Sequence, residues 1–400
     1  MYRIQKSTQN HTPTIDNPLL SQTNDTRHAG SLESNGLNQH LVRLDLRAFS
    51  ETMPWSKQTH VPGQADQLMK AAFFSSTGSP ETITVGEFPK PVPGKGQVLV
   101  RMEAVSVNPI DTYIRAGNVK FNLPLPYVIG CDIAGVVEET GPDCKRFQKG
   151  DRVWGSNQGL FGRQGTFAEF CAIDEHWLYA TPKSVPSEVA AAGALTGITA
   201  HLGLFFHGGL KAGEVVFVNG GTGGVGSAVT QLAHAIGATV ITTAGSPEKA
   251  AACRKMGASH VIEYRTEDID KRFAEITAQT GPIHLWFETL RTPTLERCIP
   301  LMAMRGRLIF MAGRDARPVF PLGPFYVKDL RAFGFAMFNA SPDEQRAAAE
   351  DLNQHLATGS CAPIIGARFP LSEAVAAHRL QEANTLQNEG TLSGKIVLTP

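Results

Sequence analysis

A glycine-rich segment, Asn219-Gly-Gly-Thr-Gly-Gly-Val-Gly-Ser-Ala, has residue types and spacing that suit phosphate binding. It follows an apolar run that starts at Glu214 and opens a stretch of helical composition. In G-x-G-x-x-G the first glycine permits a tight turn, the second lets a pyrophosphate approach the backbone, and the third lets helix and strand pack closely. The helix N-terminus adds free N–H groups and a positive dipole end. The motif alone also fits an ordinary turn, but its place between strand and helix predicts a dinucleotide site. The residues assigned to this site are Gly221, Gly223, Gly224, Val225 and Gly226.

The next strand ends in small residues, Thr243-Ala-Gly-Ser-Pro-Glu-Lys249, with no acid at the position where NAD-binding units usually place one. A hydroxyl at Ser246 and a cation at Lys249 suit a ribose 2′-phosphate better than a 2′-hydroxyl. The alternative is that Ser246 caps the following helix and Lys249 is merely solvated; both roles are compatible. The sequence therefore favours NADPH as the cofactor.

Alternating strands and helices surround this segment and must position it. Apolar strands start at Glu214, Thr239, His260, Ile283 and Arg307, with helices over 224–236 and 247–256 between the first three. This order predicts a parallel sheet with right-handed crossovers.

The residues on either side of that unit have a different pattern. From Met69 to about Pro186, short strands alternate with Gly/Pro turns, which is typical of a β-barrel-like unit. An Ala-rich helix then follows, for which Ser187 is the expected N-cap. A helix over 343–358 and a strand at Lys395 come last, and we expect them to return to the first unit, which would make that domain discontinuous.

The composition limits the classes of partner. Lys and Arg total 37, as do Asp and Glu, so the formal charge is zero and gives no reason to expect nucleic acid or an anionic membrane. We find no signal-peptide core in the first twenty residues and no run near the ~20 apolar residues of a membrane span. The six cysteines form no CxxC pair, and we expect them to be reduced. These features predict a cytoplasmic protein.

Several motifs occur in a family-specific order: Val107-Asn-Pro-Ile-Asp-Thr-Tyr113, Gly130-Cys-Asp-Ile-Ala-Gly, Gly150-Asp-Arg-Val, Gly165-Thr-Phe-Ala-Glu, the glycine-rich segment, Val261-Ile-Glu-Tyr264 and Gly394-Lys-Ile-Val-Leu. Residues 69–400 thereby resemble the zeta-crystallin-type NADPH:quinone oxidoreductases, zinc-free members of the medium-chain dehydrogenase/reductase class. The resemblance implies an α/β fold in which a discontinuous GroES-like catalytic domain (69–195 and 337–400) is split around a Rossmann NADP(H)-binding domain (196–336). It also implies an active site in the cleft between them.

The resemblance also implies roles for individual residues. Asn108 and Tyr113 resemble the catalytic pair that lines the nicotinamide and substrate pocket. Lys249 and Tyr264 resemble the groups around the 2′-phosphate, and Thr289 and Gly313 lie where strand ends face the cofactor. These residues also have structural explanations. Asn108 could satisfy the backbone of a loop, and Tyr113 could simply bury its ring. Tyr264 could be an ordinary tyrosine at the end of a strand, and Thr289 could cap the segment that follows it.

The sequence departs from zinc-dependent relatives at the ligand positions. Those alcohol dehydrogenases have a Cys where Asn108 stands and a His-Glu pair where this chain has Cys131-Asp132. A catalytic zinc site normally needs three protein ligands, so we expect no metal and read Cys131 as a small buried residue. The cysteine-rich lobe that holds a structural zinc is also missing. Trp286 and Arg314 are unusual for the family.

The functional hypothesis is hydride transfer from NADPH to a quinone or another α,β-unsaturated carbonyl, by a homodimer. Reduction of a 2-enoyl thioester and a non-catalytic dinucleotide-binding role are the alternatives. A zinc alcohol dehydrogenase is disfavoured by the missing ligands.

Residues 1–68, rich in Asn, Gln, Ser, Thr and His, predict a flexible extension outside every motif. A start of translation at Met69 would explain them equally well. A chain beginning at Met69 should therefore fold and keep NADPH turnover. Insolubility or loss of most activity on truncation would show that the extension belongs to the folded protein.

Overall fold

The computed structural model describes residues 67–119 and 121–400. The predicted flexible extension, 1–68, lies outside the described residues except for its last two. The first strand begins at Leu68, one residue before the predicted domain start at Met69.

The described part of the chain alternates strands and helices. The strands are β1 (Leu68–Phe74), β2 (Thr84–Pro89), β3 (Gln97–Val107), β4 (Tyr127–Val128), β5 (Ile133–Thr140), β6 (Arg152–Gly155), β7 (Phe170–Asp174), β8 (Leu178–Ala180), β9 (Val215–Val218), β10 (Thr239–Ala244), β11 (His260–Glu263), β12 (Ile283–Glu288), β13 (Met302–Phe310), β14 (Arg331–Gly334), β15 (Ile365–Pro370) and β16 (Lys395–Thr399). The α-helices are α1 (Pro109–Arg115), α2 (Ser187–His201), α3 (Gly224–Ala235), α4 (Pro247–Lys255), α5 (Ile269–Thr280), α6 (Leu295–Leu301), α7 (Leu322–Val327), α8 (Pro342–Thr358) and α9 (Ala374–Thr385).

The predicted parallel sheet is confirmed. In the described residues it has six strands in the order β11-β10-β9-β12-β13-β14, and every pairing is parallel. This is the doubly wound order 3-2-1-4-5-6, whose ligands bind outside the carboxyl ends of the strands. The central strand β9 is wholly buried, as expected for a strand covered by helices on both faces.

The return of the C-terminus to the first unit is also confirmed. A second sheet runs β15-β16-β3-β5-β6-β8, with β7 also pairing β3, so it combines strands from before and after the parallel sheet. Strand β16 is antiparallel to β3, with Ile396 opposite Val107 and Val397 opposite Ser106. Continuing this register by one residue places Lys395 beside Asn108. The domain boundaries themselves stay a prediction.

The helix that follows the first unit corrects two expectations. It begins at Ser187, but Pro186 is its N-cap, and the Ser187 hydroxyl instead donates to Glu103 Oε2 at 2.6 Å. It continues as a π-helix, Leu202–His207. An 18-residue window of the combined 21 residues has mean hydropathy 1.6, so by length and composition alone this stretch could cross a membrane, which the sequence analysis did not identify. Because 72% of that window is buried against the protein's own elements, a core position accounts for its composition equally well.

Smaller differences concern element ends. Strand β13 begins at Met302, before the expected Arg307. Helix α8 begins at Pro342, where Ser341 and Glu344 form a capping box. The short helix α1 and the helices α5, α6, α7 and α9 have no counterpart in the sequence prediction.

Candidate active site

The glycine-rich loop joins β9 to α3 in a shape that only glycine permits at two positions. A Cβ at Gly221 would lie 2.5 Å from Thr242 Oγ1, and one at Gly226 would lie 2.2 Å from the Gly220 carbonyl oxygen. The loop is held by Gly220 N–H, which donates to Thr243 Oγ1 at 2.8 Å. Steric crowding therefore explains the first and third glycines of the motif.

The N-terminus of α3 is open to a ligand. Its N-cap, Gly223, is exposed, and Gly224 and Val225 in the first turn are half-buried. The first N–H groups of a helix have no partner within it, and its dipole favours an anion there. This end of the helix thus suits a pyrophosphate.

The ends of β10 and β11 carry the polar groups expected at a 2′-phosphate. Ser246 caps α4 by accepting from Lys249 N at 3.3 Å, which confirms the capping half of the alternative, whereas Lys249 is not merely solvated. Lys249 Nζ donates to the carbonyls of Gly390 and Leu392 at 2.7 and 3.0 Å. Tyr264 is 48% exposed, and its hydroxyl would lie 2.6 Å from a Cβ built on Gly245. The structure brings Ser246, Lys249 and Tyr264 into one region.

Arg265 is a member of this region that the sequence analysis missed. Burial lowers the pKa of Lys249, and the positive charge of Arg265 lowers it further. An Arg265 guanidinium nitrogen would lie 3.0 Å from a Cβ built on Gly390, whose carbonyl Lys249 contacts. Two neighbouring cations favour an anion between them. Its position directly after Tyr264 is the signal that would have found it.

Thr289 and the residues before it connect two strand ends. Thr289 Oγ1 donates to the Asn219 carbonyl at 2.9 Å. Glu288 is buried and accepts from Asn219 Nδ2 at 2.9 Å and from Trp286 Nε1 at 3.1 Å. Burial raises the pKa of Glu288, and these hydrogen bonds oppose that shift. Trp286 packs against Phe217 with ring centroids 4.1 Å apart. Trp286 is therefore part of the hydrophobic core that packs against the parallel sheet.

Two arginines follow the ends of β12 and β13 and contact the first unit, which contains the residues before and after the parallel sheet. Arg291 donates to the Thr385 carbonyl at 3.2 Å, and Arg314 donates to the Asn118 carbonyl. Between them, Gly313 has φ of +81°, and a Cβ there would lie 2.7 Å from the Arg291 carbonyl oxygen. Glycine is therefore required for the turn that carries Arg314.

Tyr113, on α1, is half-buried near these arginines. Burial raises the pKa of its phenol, while the positive charges of Arg291 and Arg314 oppose the rise. The hydroxyl is therefore protonated near neutral pH and able to donate. The structure thus brings Tyr113 together with Arg314, for which the sequence offered no role, and with Arg291, which it missed.

Asn108, the N-cap of the helix that carries Tyr113, is completely buried. Its Nδ2 donates to Asp132 Oδ2 at 2.7 Å, its Oδ1 accepts from Lys395 Nζ, and its backbone N–H donates to Asp111 Oδ2 at 2.7 Å. The side chain that was expected to face a substrate is thus engaged with the protein on both sides.

Asp132 is the centre of this buried cluster. Its two carboxylate oxygens accept from Ser106 and Ser156 hydroxyls at 2.7 Å each and from the Leu195 N–H at 3.0 Å. Lys395 Nζ lies 3.8 Å from Oδ2. Burying a carboxyl group without such donors and a nearby cation would be costly.

Asp111 and Cys131 complete the cluster. Cys131 Sγ donates to Asp111 Oδ1 at 3.1 Å. Burial raises the pKa of Asp111 to about 7 and raises the pKa of the Cys131 thiol, so that thiol is protonated. Cys131 is fully buried, as predicted. Over the described residues, no three His, Cys, Asp or Glu side chains are grouped so as to hold a metal ion.

Comparisons with known proteins agree with this architecture. Two family profiles match: the alcohol dehydrogenase GroES-like domain at residues 94–183 and the zinc-binding dehydrogenase at residues 224–354. The chain is 31% identical to human quinone oxidoreductase over 333 residues, which cover 83% of this chain and 98% of that protein. It is 32% identical to the Pseudomonas aeruginosa quinone oxidoreductase over 321 residues, 78% of this chain and 95% of that protein. The structure of Escherichia coli quinone oxidoreductase complexed with NADPH superposes with a TM-score of 0.72 at 27% identity, covering 83% of this chain and 100% of that one.

A GroES-like unit split around a parallel dinucleotide-binding sheet defines an oxidoreductase of the medium-chain dehydrogenase/reductase class. Within that class, the chain belongs to the quinone oxidoreductase family. The fold and family predicted from the sequence are thereby confirmed. The profile whose description names zinc matches 224–354, a range that contains neither Asn108 nor Cys131.

The Asp111 carboxyl makes the stability depend on pH. It is protonated in the folded protein up to about pH 7, whereas its ordinary pKa is 3.8. The folded state thus binds the extra proton, and the stability from this group falls as pH rises from about 4 to about 7. Asp111→Asn resembles the protonated form, so its urea midpoint should fall less than that of the wild type over this range. Asp143→Asn, at an exposed carboxylate, is the control. Identical pH profiles for Asp111→Asn and the wild type would contradict the assignment.

Proposed function

We propose that this protein uses NADPH to reduce a quinone or another α,β-unsaturated carbonyl, with no metal involved in the reaction. The observation that carries the proposal is the protonated phenol of Tyr113 near the guanidiniums of Arg291 and Arg314, which follow the ends of β12 and β13. Ligands of this fold bind outside those strand ends. Donors grouped there suit an acceptor oxygen that gains negative charge.

The glycine loop fits the cofactor. Gly221 and Gly226 keep side chains out of the turn, and the N–H groups of Gly223, Gly224 and Val225 would hold the pyrophosphate. Ser246, Lys249 and Tyr264 would surround the 2′-phosphate, and we add Arg265 to this set. Thr289 and Gly313 would border the ribose and nicotinamide. The Escherichia coli relative, whose structure contains NADPH, supports this cofactor.

Some side chains of the site would contact the acceptor, and others would only position those that do. NADPH, when bound, supplies a hydride. Tyr113 would donate its O–H to the acceptor oxygen, and the two guanidiniums would stabilise the charge that develops there. Because conjugation spreads this charge, positioning and hydrogen bonds suffice without a Lewis acid. Asn108 is fully buried, so we assign it the positioning of α1 rather than direct contact with the acceptor.

Reduction of a 2-enoyl thioester remains the second candidate, because Arg291 and Arg314 would also favour an acceptor that carries negative charge. The same hydride chemistry would apply to its conjugated carbonyl. The positions of Arg291 and Arg314 therefore do not distinguish a quinone or enone from a 2-enoyl thioester. Assays with a set of different acceptors would distinguish them.

A homodimer is also part of the proposal. Strand β14 lies at the edge of the parallel sheet and, among the described strands, pairs with β13 alone. An unpaired edge is able to extend a sheet into a second copy. Nearby along the chain, several large apolar side chains are exposed: Val319, Leu322, Tyr326 and Val327. Such a surface is typical of a subunit interface.

An acceptor panel tests the proposed reaction. The purified protein should oxidise NADPH with a quinone or an enone and should fail with a saturated aldehyde, whose isolated carbonyl needs stronger polarisation. Selective turnover of a 2-enoyl thioester would favour the second candidate. Reduction of the aldehyde alone would exclude the mechanism, and NADPH binding without any turnover would favour a non-catalytic role.

Lys249 tests the choice of cofactor. A charge-assisted contact with phosphate is worth more than a neutral hydrogen bond, so Lys249→Ala should raise the Michaelis constant for NADPH by roughly 10-fold and leave that for NADH nearly unchanged. Lys255→Ala, in the last turn of the same helix and exposed, is the matched control. Equal effects on both cofactors would show that Lys249 does not contact the 2′-phosphate.

Tyr113 tests the proposed donor. An enolate or hydroquinone is able to take its proton from solvent, so Tyr113→Phe should lower turnover by only ~10-fold, less than loss of an essential acid. Tyr179→Phe, on β8, removes a buried phenol oxygen that makes no hydrogen bond within the described residues, and it provides the control. An inactive Tyr113→Phe that still binds NADPH would make the phenol an obligatory acid. Unchanged turnover would remove it from the reaction.

A further inference from the structure

Lys395 is a buried cation for which the proposed reaction has no direct use. It is only 4% exposed, although lysine is almost never buried without a partner. Its ammonium donates to the Val107 carbonyl at 2.7 Å and to Asn108 Oδ1, and it lies 3.8 Å from Asp132 Oδ2. The antiparallel register of β16 on β3 places it there.

The ammonium determines which way the Asn108 amide points. A cation accepts no hydrogen bond, so it must face Oδ1 of the amide. The Nδ2 group is then directed at Asp132, to which it donates at 2.7 Å. Lys395 and Asp132 thus hold Asn108 from opposite sides, one through each end of its amide.

This arrangement fixes the start of α1. Asn108 is the N-cap of the helix, and its N–H donates to Asp111 in the first turn. Tyr113 follows one turn later on the same seven-residue helix. A reoriented Asn108 would therefore shift the start of α1 and, with it, the Tyr113 phenol.

The same segment touches the glycine loop. The Gly394 N–H donates to the Thr222 carbonyl at 2.8 Å. The Lys395 side chain passes the first residue of α3, since a Cβ on Gly224 would lie 3.2 Å from Lys395 Cδ. Gly394, just before β16, and Lys395, its first residue, thus join the glycine loop to the N-cap of α1.

We propose that Lys395 is a positioning residue for the reaction: its ammonium orients the Asn108 amide and so sets the Tyr113 phenol relative to a cofactor bound at the glycine loop. The inference rests on the proposed function. The Lys395 side chain contacts Asn108 Oδ1 and lies 3.8 Å from Asp132 Oδ2, so it brings a cationic group into this buried cluster.

The variant Lys395→Met keeps most of the side-chain length and removes the charge. Because it leaves Asp132 buried without its cation, it also carries a risk of unfolding. The double variant Lys395→Met/Asp132→Asn removes both charges and still leaves the Asn108 amide without its orienting cation. Lys271→Met, at an exposed lysine, is the control.

Quinone turnover, NADPH affinity by nucleotide fluorescence, and hydrogen–deuterium exchange of α1 are measured for each folded variant. Misplacement of a catalytic group by about 1 Å costs up to about 100-fold, so kcat should fall by on the order of 10- to 100-fold. NADPH affinity should change little, because the backbone bond from Gly394 to Thr222 remains. The rate of hydrogen–deuterium exchange should increase in α1 and stay unchanged in α3.

Recovery of wild-type kcat in the double variant would overturn the proposal, since Lys395 would then only balance the charge of Asp132. Loss of NADPH affinity in parallel with kcat would also overturn it. If the wild type reduces no acceptor, the proposed function fails separately, and the exchange data still decide the inference: unchanged exchange in α1 contradicts it.

Discussion

The antiparallel pairing of β16 with β3 is the constraint on which the site depends. Ile396 opposite Val107 brings the C-terminal strand back to the first unit after the whole parallel sheet has been formed. This register places the Lys395 ammonium against Asn108 and Asp132 in the interior. A shift by one residue would turn the alternating side chains of the strand to the opposite face. The end of the chain therefore completes a cluster that begins near its first helix.

The candidate site contains two separate groups of polar and charged residues. On the side of the parallel sheet, we propose that the N-terminus of α3 and the cations Lys249 and Arg265 bind the phosphate groups of the cofactor. On the other side, Tyr113 keeps its proton and lies near two guanidiniums. Both sets of groups follow strand ends or helix starts, so rigid elements hold the flexible side chains. In the proposed reaction, such preorganisation would let modest hydrogen bonds support hydride transfer without a metal ion.

The sequence predicted the parts whose signals are local. The glycine spacing, the alternation of strands and helices around Glu214, and the cap at Ser246 were all readable from short segments. Arg265 comes directly after Tyr264, which was assigned to the cofactor site. It was missed because a single charged residue does not form a pattern by itself. Lys395 could not be assigned, since its role arises from strand register between residues 288 positions apart. The burial of Asn108 follows from the same register, which no local pattern encodes.

We propose that a cofactor bound at the glycine loop meets the acceptor beside the Tyr113 phenol. A crystal structure of the protein with NADPH tests this proposal. We expect the pyrophosphate at the N-terminus of α3, the 2′-phosphate between Lys249 and Arg265, and the nicotinamide ring beside the Tyr113 phenol. A nicotinamide ring that faces away from Tyr113, or a nucleotide bound away from the N-terminus of α3, would contradict the account.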